Sequence, residues 1–246
     1  MNAKEKKKEQ KPRSEDSDAG TADLIRELGL AAPGTDFESD LQYISIIGSI
    51  EGHIALPMEN KTTKYEHLIP QLIAVEENPK LRGLLVILNT MGGDVEAGLA
   101  LAEMIATLSK PTVSLVLGGG HSIGIPLATA TDYSFIAGTA TMTLHPIRTT
   151  GLVITAETTF DYMRKTQDRV IDFIAGHSRA TRKRVTELMN CSDNMSNDVG
   201  TILFGKEAVD AGIIDAVGGV SQALGELRRR VAKVDELEKE ISTSTD

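Results

Sequence analysis

Leu84-Leu85-Val86-Ile87-Leu88 is a run of large aliphatic residues with no polar break. A half-exposed strand would alternate, and an amphipathic helix would repeat every three or four residues. A short unbroken run suits a strand buried on both faces. Strands covered on both faces belong to α/β folds, where helices pack on each side of a largely parallel sheet. A second apolar run, Val113-Ser114-Leu115-Val116-Leu117, broken only by the small Ser114, follows it. Between the two, Ala97, Leu101, Met104 and Leu108 form the apolar stripe of a helix. Asp94 stands at the helix start as a cap, and Pro111 ends the segment.

The same rhythm runs both ways from this unit. Tyr43 to Ile50 reads as a strand, and Thr63 to Glu77 as a helix with Leu68, Leu72 and Val75 on one face. Residues 133–137 and 141–144 read as short strands. A long helical stretch, Glu157 to Asn190, breaks near Gly176-His177-Ser178. A short helix from Lys206 to Ala211 ends at Gly212, and an amphipathic helix covers about 221–240 with Leu224, Leu227, Val231, Val234 and Leu237 on one side. Three regions follow: a disordered polar tail over 1–36 holding at most a short helix at Ala22 to Gly29, a single α/β domain over 37–220, and a C-terminal helix with a frayed end over 221–246.

Composition removes several functions. A net charge of −9 with no basic stripe argues against nucleic acid as a partner. The single cysteine, Cys191, allows no internal disulfide and fits a reducing compartment as an incidental thiol. The longest uncharged run, Pro111 to Thr131, could cross a bilayer on length alone. Gly118-Gly119-Gly120, His121 and Pro126 make it a strand, a turn and a helix instead. No apolar segment follows the basic N-terminus, so a cytoplasmic location is expected. His53 and His67 lack ligand spacing, and the triple glycine has no following Lys-Ser/Thr. Neither a metal nor a cofactor is expected.

The chemistry lies in the turns after the two central strands. Gly120-His121-Ser122-Ile123-Gly124 places a serine among small residues where a strand turns into a helix, so that one hydroxyl can stand clear of the backbone. His145 follows 23 residues later in Thr143-Leu144-His145-Pro146, and Met91-Gly92-Gly93-Asp94 could supply backbone N–H groups. A serine, a histidine and a glycine turn are the parts of a serine hydrolase. His121 reads as a pocket-lining residue, because its side chain should point away from its neighbour's. His177 reads as a cap or surface residue, and Lys110 or Lys165 would matter only in a serine–lysine dyad. An α/β-hydrolase would need an acid and a late histidine carried on further strands. Here the last histidine is His177 and the stretch after His145 is mostly helical, which disfavours that reading.

Four separated segments, in order, resemble the Clp protease proteolytic subunit family between about Tyr43 and Val220. Leu88-Asn89-Thr90-Met91-Gly92-Gly93 with Ala97-Gly98 is similar to its N-S-P-G-G…A-G turn. Ser122-Ile123-Gly124 is similar to its S-M-G motif, and Leu144-His145-Pro146 to its M-I-H-Q-P motif. Residues 207–215 are similar to its E-A-V-x-x-G-L-I-D. The resemblance implies a spiral of β-β-α units, shared with crotonases, with a protruding helical handle. It implies a peptidase in which Ser122 attacks the peptide carbonyl, His145 carries the proton, and the N–H groups of Gly93 and Ile123 hold the oxyanion. It also implies a homo-oligomeric ring, stacked in pairs, acting on unfolded proteins or short peptides. One branch of the family, marked by the His-Ser pair and the tail, implies a link to protein export.

Two departures stand beside these matches. Counting back from Ala208 to Gly212 puts the family's triad aspartate position at Gly200, so the orienter of His145 falls to Asp198, with Asp193 or no acid as rivals. The polar tail replaces the family's short N-terminal segment, which leaves docking of an ATPase unfoldase open. The rival functions are a ring scaffold with weakened or absent catalysis, a crotonase-type acyl-CoA enzyme and an α/β-hydrolase esterase.

Overall fold

The computed structural model describes residues 39–148, 155–192 and 199–243. The polar tail with its short helix, the two aspartates at 193 and 198, and the last three residues lie outside the described residues. Eight strands and seven helices are described: β1 (Leu41–Glu51), β2 (Thr62–Lys64), α1 (Tyr65–Glu77), β3 (Gly83–Gly93), α2 (Val95–Ala106), β4 (Thr112–Gly120), α3 (Gly124–Thr129), β5 (Tyr133–Ile136), β6 (Thr141–Leu144), α4 (Ala156–Gly176), α5 (Arg182–Met189), β7 (Thr201–Phe204), α6 (Gly205–Asp210), β8 (Ala216–Val217) and α7 (Val220–Thr243).

The uninterrupted apolar run becomes β3, in the middle of a parallel sheet ordered β2-β1-β3-β4-β5-β8. Successive strand residues face opposite sides, and both sides are covered. Leu84, Val86 and Leu88 join the larger core with α1, α2 and α3. Leu85, with Val113, Leu115 and Phe135, faces the other way onto Ala223, Leu227 and Val231 of α7. Burying those large side chains on both faces contributes roughly 1.5–3 kcal/mol each, which is why this run has no alternating pattern.

β6 leaves this sheet. It touches β4 at the single pair Gly119–Thr141 and runs antiparallel to β7 over four pairs, from Thr141–Phe204 to Leu144–Thr201. The first ten residues of α4 are mostly exposed, and burial begins at Thr166 with Val170, Ile171, Phe173 and Ile174. The helix therefore protrudes before it packs. Bidentate hydrogen bonds from Arg169 to Glu96, 2.7 and 3.1 Å, tie its packed half to α2 and hold the Glu96 carboxyl below its ordinary pKa.

Asp94 is the expected cap, accepting the Ala97 N–H at 2.8 Å. Other expectations need correction. β2, β7 and β8 are additional strands of two to four residues, too short to show a period. Thr63 belongs to β2, so α1 starts at Tyr65. α2 buries Leu99, Ala102 and Ile105 besides Ala97 and Leu101, because α1 and α3 flank it above the sheet. On α7 the buried line is Ala223, Leu227 and Val231, and Leu237 is 49% exposed because the sheet ends before the helix does.

Candidate active site

β3 and β4 are parallel neighbours, so their C-terminal ends lie on the same edge, where α2 and α3 begin. Open α/β sheets build sites along that edge. Thr90, 2% exposed, shapes the first turn. Its Oγ1 donates to the Gly48 carbonyl at 2.6 Å and accepts the Gly92 N–H at 3.0 Å. Gly92 and Gly93 have φ of 92° and 154°, which disfavour any side chain. A Cβ on Gly93 would lie 2.2 Å from the Ile50 carbonyl oxygen. One on Gly92 would lie 2.8 Å from Ser122 Cβ. The glycine pair thus lets the first turn slide directly beneath the serine.

Ser122 has φ of 55°, the only positive value of a non-glycine residue among the described residues. This left-handed conformation costs on the order of 1–2 kcal/mol. The neighbouring backbone enforces it: Ser122 N–H donates to Thr143 O at 2.9 Å, Gly124 N–H to His121 O at 2.9 Å and Ile125 N–H to Ser122 O at 3.0 Å. Ile123 N–H is left without a partner among the described residues. Asp94 N–H donates to Ile50 O, and Ile50 pairs with Gly93, so the Gly93 N–H points away from β1. Both N–H groups expected to hold an oxyanion are therefore not spent on β1 or on the serine turn.

His145 follows β6. Its Nδ1–H donates to the Pro146 carbonyl at 2.7 Å. A carbonyl can only accept, so the proton sits on Nδ1 and the neutral ring keeps its lone pair on Nε2. A general base needs that tautomer. Ser122 and His145 line the same cavity of about 20 Å³, with Val95, Ile123, Ile125, Leu144, Ile147, Val170, Ile174 and Met189. Ser122 Oγ has no hydrogen-bond partner among the described residues. The larger cavity, about 500 Å³, is lined by Cys191, Arg184, Glu187 and Glu207 among others and shares no lining residue with the serine's.

Gly200 lies against His145. A Cβ on it would fall 2.3 Å from the Leu144 carbonyl oxygen and 3.0 Å from His145 Cβ. The residue counted to the family's acid position thus sits beside His145, with no room for a side chain.

The remaining candidates separate clearly. His121 Nδ1 is hydrogen-bonded to Thr143 Oγ1 at 2.9 Å. Burial, and secondarily the positive charge His145 can carry, lower the pKa of His121 from its ordinary 6.5. A histidine lowered in the fold binds fewer protons there than in the unfolded chain, so its contribution to stability falls as pH drops below about 6.5. His121→Gln should flatten this loss, seen as a smaller drop in thermal midpoint between pH 7 and pH 5. His177 caps α4, stacking on Phe173 at 4.1 Å. Lys110 Nζ donates to the carbonyls of Val75 and Asn78, and Lys165 is exposed. Thr90 and Thr143 are site-building residues that sequence reasoning missed; only the position of Thr90 just before Met91-Gly92-Gly93 hinted at its role. Among the described residues no helix is long and apolar enough to cross a membrane.

With this geometry in hand, two comparisons agree. A family profile described as Clp protease matches residues 39–221. The translocation-enhancing protein TepA of Halalkalibacterium halodurans is 53% identical over 222 residues, covering 90% of this chain and 87% of that protein. The sheet, the turns and the order of the motifs accord with both, and the chain belongs to the Clp protease family.

Proposed function

We propose that this chain is a serine peptidase that cleaves unfolded or short polypeptides. Ser122 Oγ attacks the peptide carbonyl, His145 Nε2 takes the proton and returns it to the leaving amine, and the N–H groups of Gly93 and Ile123 receive the oxyanion. The observation that carries this reading is the strained Ser122, held at φ 55° on one wall of a cavity that His145 also lines, with the Ile123 N–H unpartnered beside it. Strain of this kind persists where surrounding structure enforces it and often serves chemistry.

Val95, Ile125, Val170, Ile174 and Met189 make the cavity apolar. An apolar side chain on the acyl side of the scissile bond fits that lining. Its 20 Å³ is about one water, so α4 and α5 must yield a little to admit a residue. We further propose a ring of identical subunits and a cytoplasmic role in protein export; the likeness to a translocation-enhancing protein supports the export link. An unfoldase partner would bring folded substrates within reach.

A serine-directed fluorophosphonate followed by intact mass tests the chemistry. One adduct on the wild type, absent from Ser122→Ala and His145→Ala, is expected. No adduct on a folded, assembled wild type would favour the noncatalytic scaffold, the reading supported by the absence of an acid at Gly200.

A further inference from the structure

His145 has no carboxylate partner among the described residues, yet its ring is already held in the tautomer a base needs. The holder is the Pro146 carbonyl, 2.7 Å from Nδ1. That carbonyl belongs to the same peptide unit as the Ile147 N–H, which donates to Gln167 Oε1 on α4 at 3.2 Å. The described residues contain no cis peptide, so the C=O and N–H of this unit point in opposite directions. One peptide plane is thus clamped between the base on one side and the handle helix on the other.

Local sequence supports the clamp. Proline restricts the residue before it to extended backbone and fixes its own φ, so His145-Pro146 presets where this carbonyl lies relative to the ring. A hydrogen bond accepted from an amide N–H polarises the amide and makes its carbonyl a better acceptor. Gln167 is half-buried, which favours that bond over exchange with water. Gly200, meanwhile, packs against His145 with no side chain to offer.

We propose that the Pro146–Ile147 peptide, held by Gln167, orients His145 in place of a triad aspartate. This rests on the peptidase reading above. Gln167 acts as a positioning residue: it touches neither substrate nor nucleophile, and it couples the packed half of α4 to the base. No bond beyond those of the acyl-transfer cycle is made, and the peptide neither gains nor loses a proton.

The test is the rate of fluorophosphonate capture by the full-length protein, measured from pH 6 to 9 with thermal midpoints as fold controls. Variants are the pair Asp193→Asn with Asp198→Asn, then Gln167→Leu and Gln167→Glu. The asparagine pair should capture the probe within about threefold of wild type at every pH, because a carbonyl does the orienting. Gln167→Leu should fall by about tenfold, the worth of one hydrogen bond of about 1.4 kcal/mol. Gln167→Glu keeps an acceptor oxygen and should restore the rate, which a purely structural role for Gln167 would not predict. Gln167→Met serves the same comparison if the leucine variant loses thermal stability. A fall of about 10³–10⁴-fold in the asparagine pair would assign the role to an acid and overturn the proposal. Capture by Gln167→Leu or Gln167→Met at the wild-type rate would overturn the part given to Gln167. A wild type that captures no probe at any pH would bring down the peptidase reading and this proposal together. That outcome is distinct from the other two, in which the wild type reacts.

Discussion

Ser122→Gly is expected to stabilise the protein while destroying its chemistry. Ser122 is held at φ 55°, a conformation that costs an ordinary residue on the order of 1–2 kcal/mol and costs glycine almost nothing. Glycine also makes the unfolded chain more flexible, which takes back part of the gain. The net should be about 1 kcal/mol in favour of the variant, raising the thermal midpoint by about 2–4 °C. Peptide cleavage should fall by about 10⁶-fold, as when any serine nucleophile is removed. Ser122→Ala makes the contrast. It removes the same hydroxyl but keeps the Cβ in the left-handed region, so its midpoint should stay near wild type. A glycine variant less stable than the alanine variant would mean that the serine turn stores no strain.

Gly200→Asp is the second large effect, and its direction opposes a naive repair. Restoring the acid that the family places here should not complete a triad. The new Cβ would lie 2.3 Å from the Leu144 carbonyl oxygen and 3.0 Å from His145 Cβ, on a backbone with φ of 141°. Gly200 N–H also donates to Cys191 O at 2.7 Å, which ties its position to the end of α5. Overpacking and a forbidden φ together should cost roughly 3–5 kcal/mol, lowering the midpoint by about 10 °C or more. Probe capture should fall with it, because the displaced atoms belong to the strand that carries the base. A folded Gly200→Asp protein with faster capture would show that the Leu144–His145 backbone can yield to a side chain at position 200.

What could be read in advance follows from how local each signal is. β3 and β4 announce themselves because both faces are covered, and a doubly covered strand has to be apolar throughout. Ser122 and His145 stand out as candidates because each sits in a turn whose neighbours are dictated by backbone geometry, and both line one cavity. Gly92 and Gly93 have no room for a Cβ, and proline follows the histidine. β7 was hidden, since Thr201 to Phe204 has two exposed apolar side chains, Ile202 and Phe204, and gains its identity only by pairing with β6. The meaning of Gly200 was hidden for the same reason. Its mismatch with the family was visible, but that it presses on His145 depends on the β6–β7 pairing across about 60 residues. On α7 the expected face holds at Leu227 and Val231, with Leu224 partly buried beside them, and fails at Leu237, because the sheet beneath sets how far the buried side runs.

That long-range pairing has a consequence for how the protein is made. A ribosome delivers the serine, its glycine turn and the histidine well before residues 201–204 emerge. Until then β6 has one pair with β4 and no ribbon partner, and α7 has not covered Leu85, Val113 and Leu115. At about 5–20 residues per second, the remaining stretch takes several seconds to synthesise. During that interval a nascent chain carries Ser122 and His145 without the antiparallel partner of the strand that leads into His145. The late ribbon therefore completes the ground on which the site stands: a chain stalled or clipped before residue 200 holds Ser122 and His145 but lacks the antiparallel partner of β6.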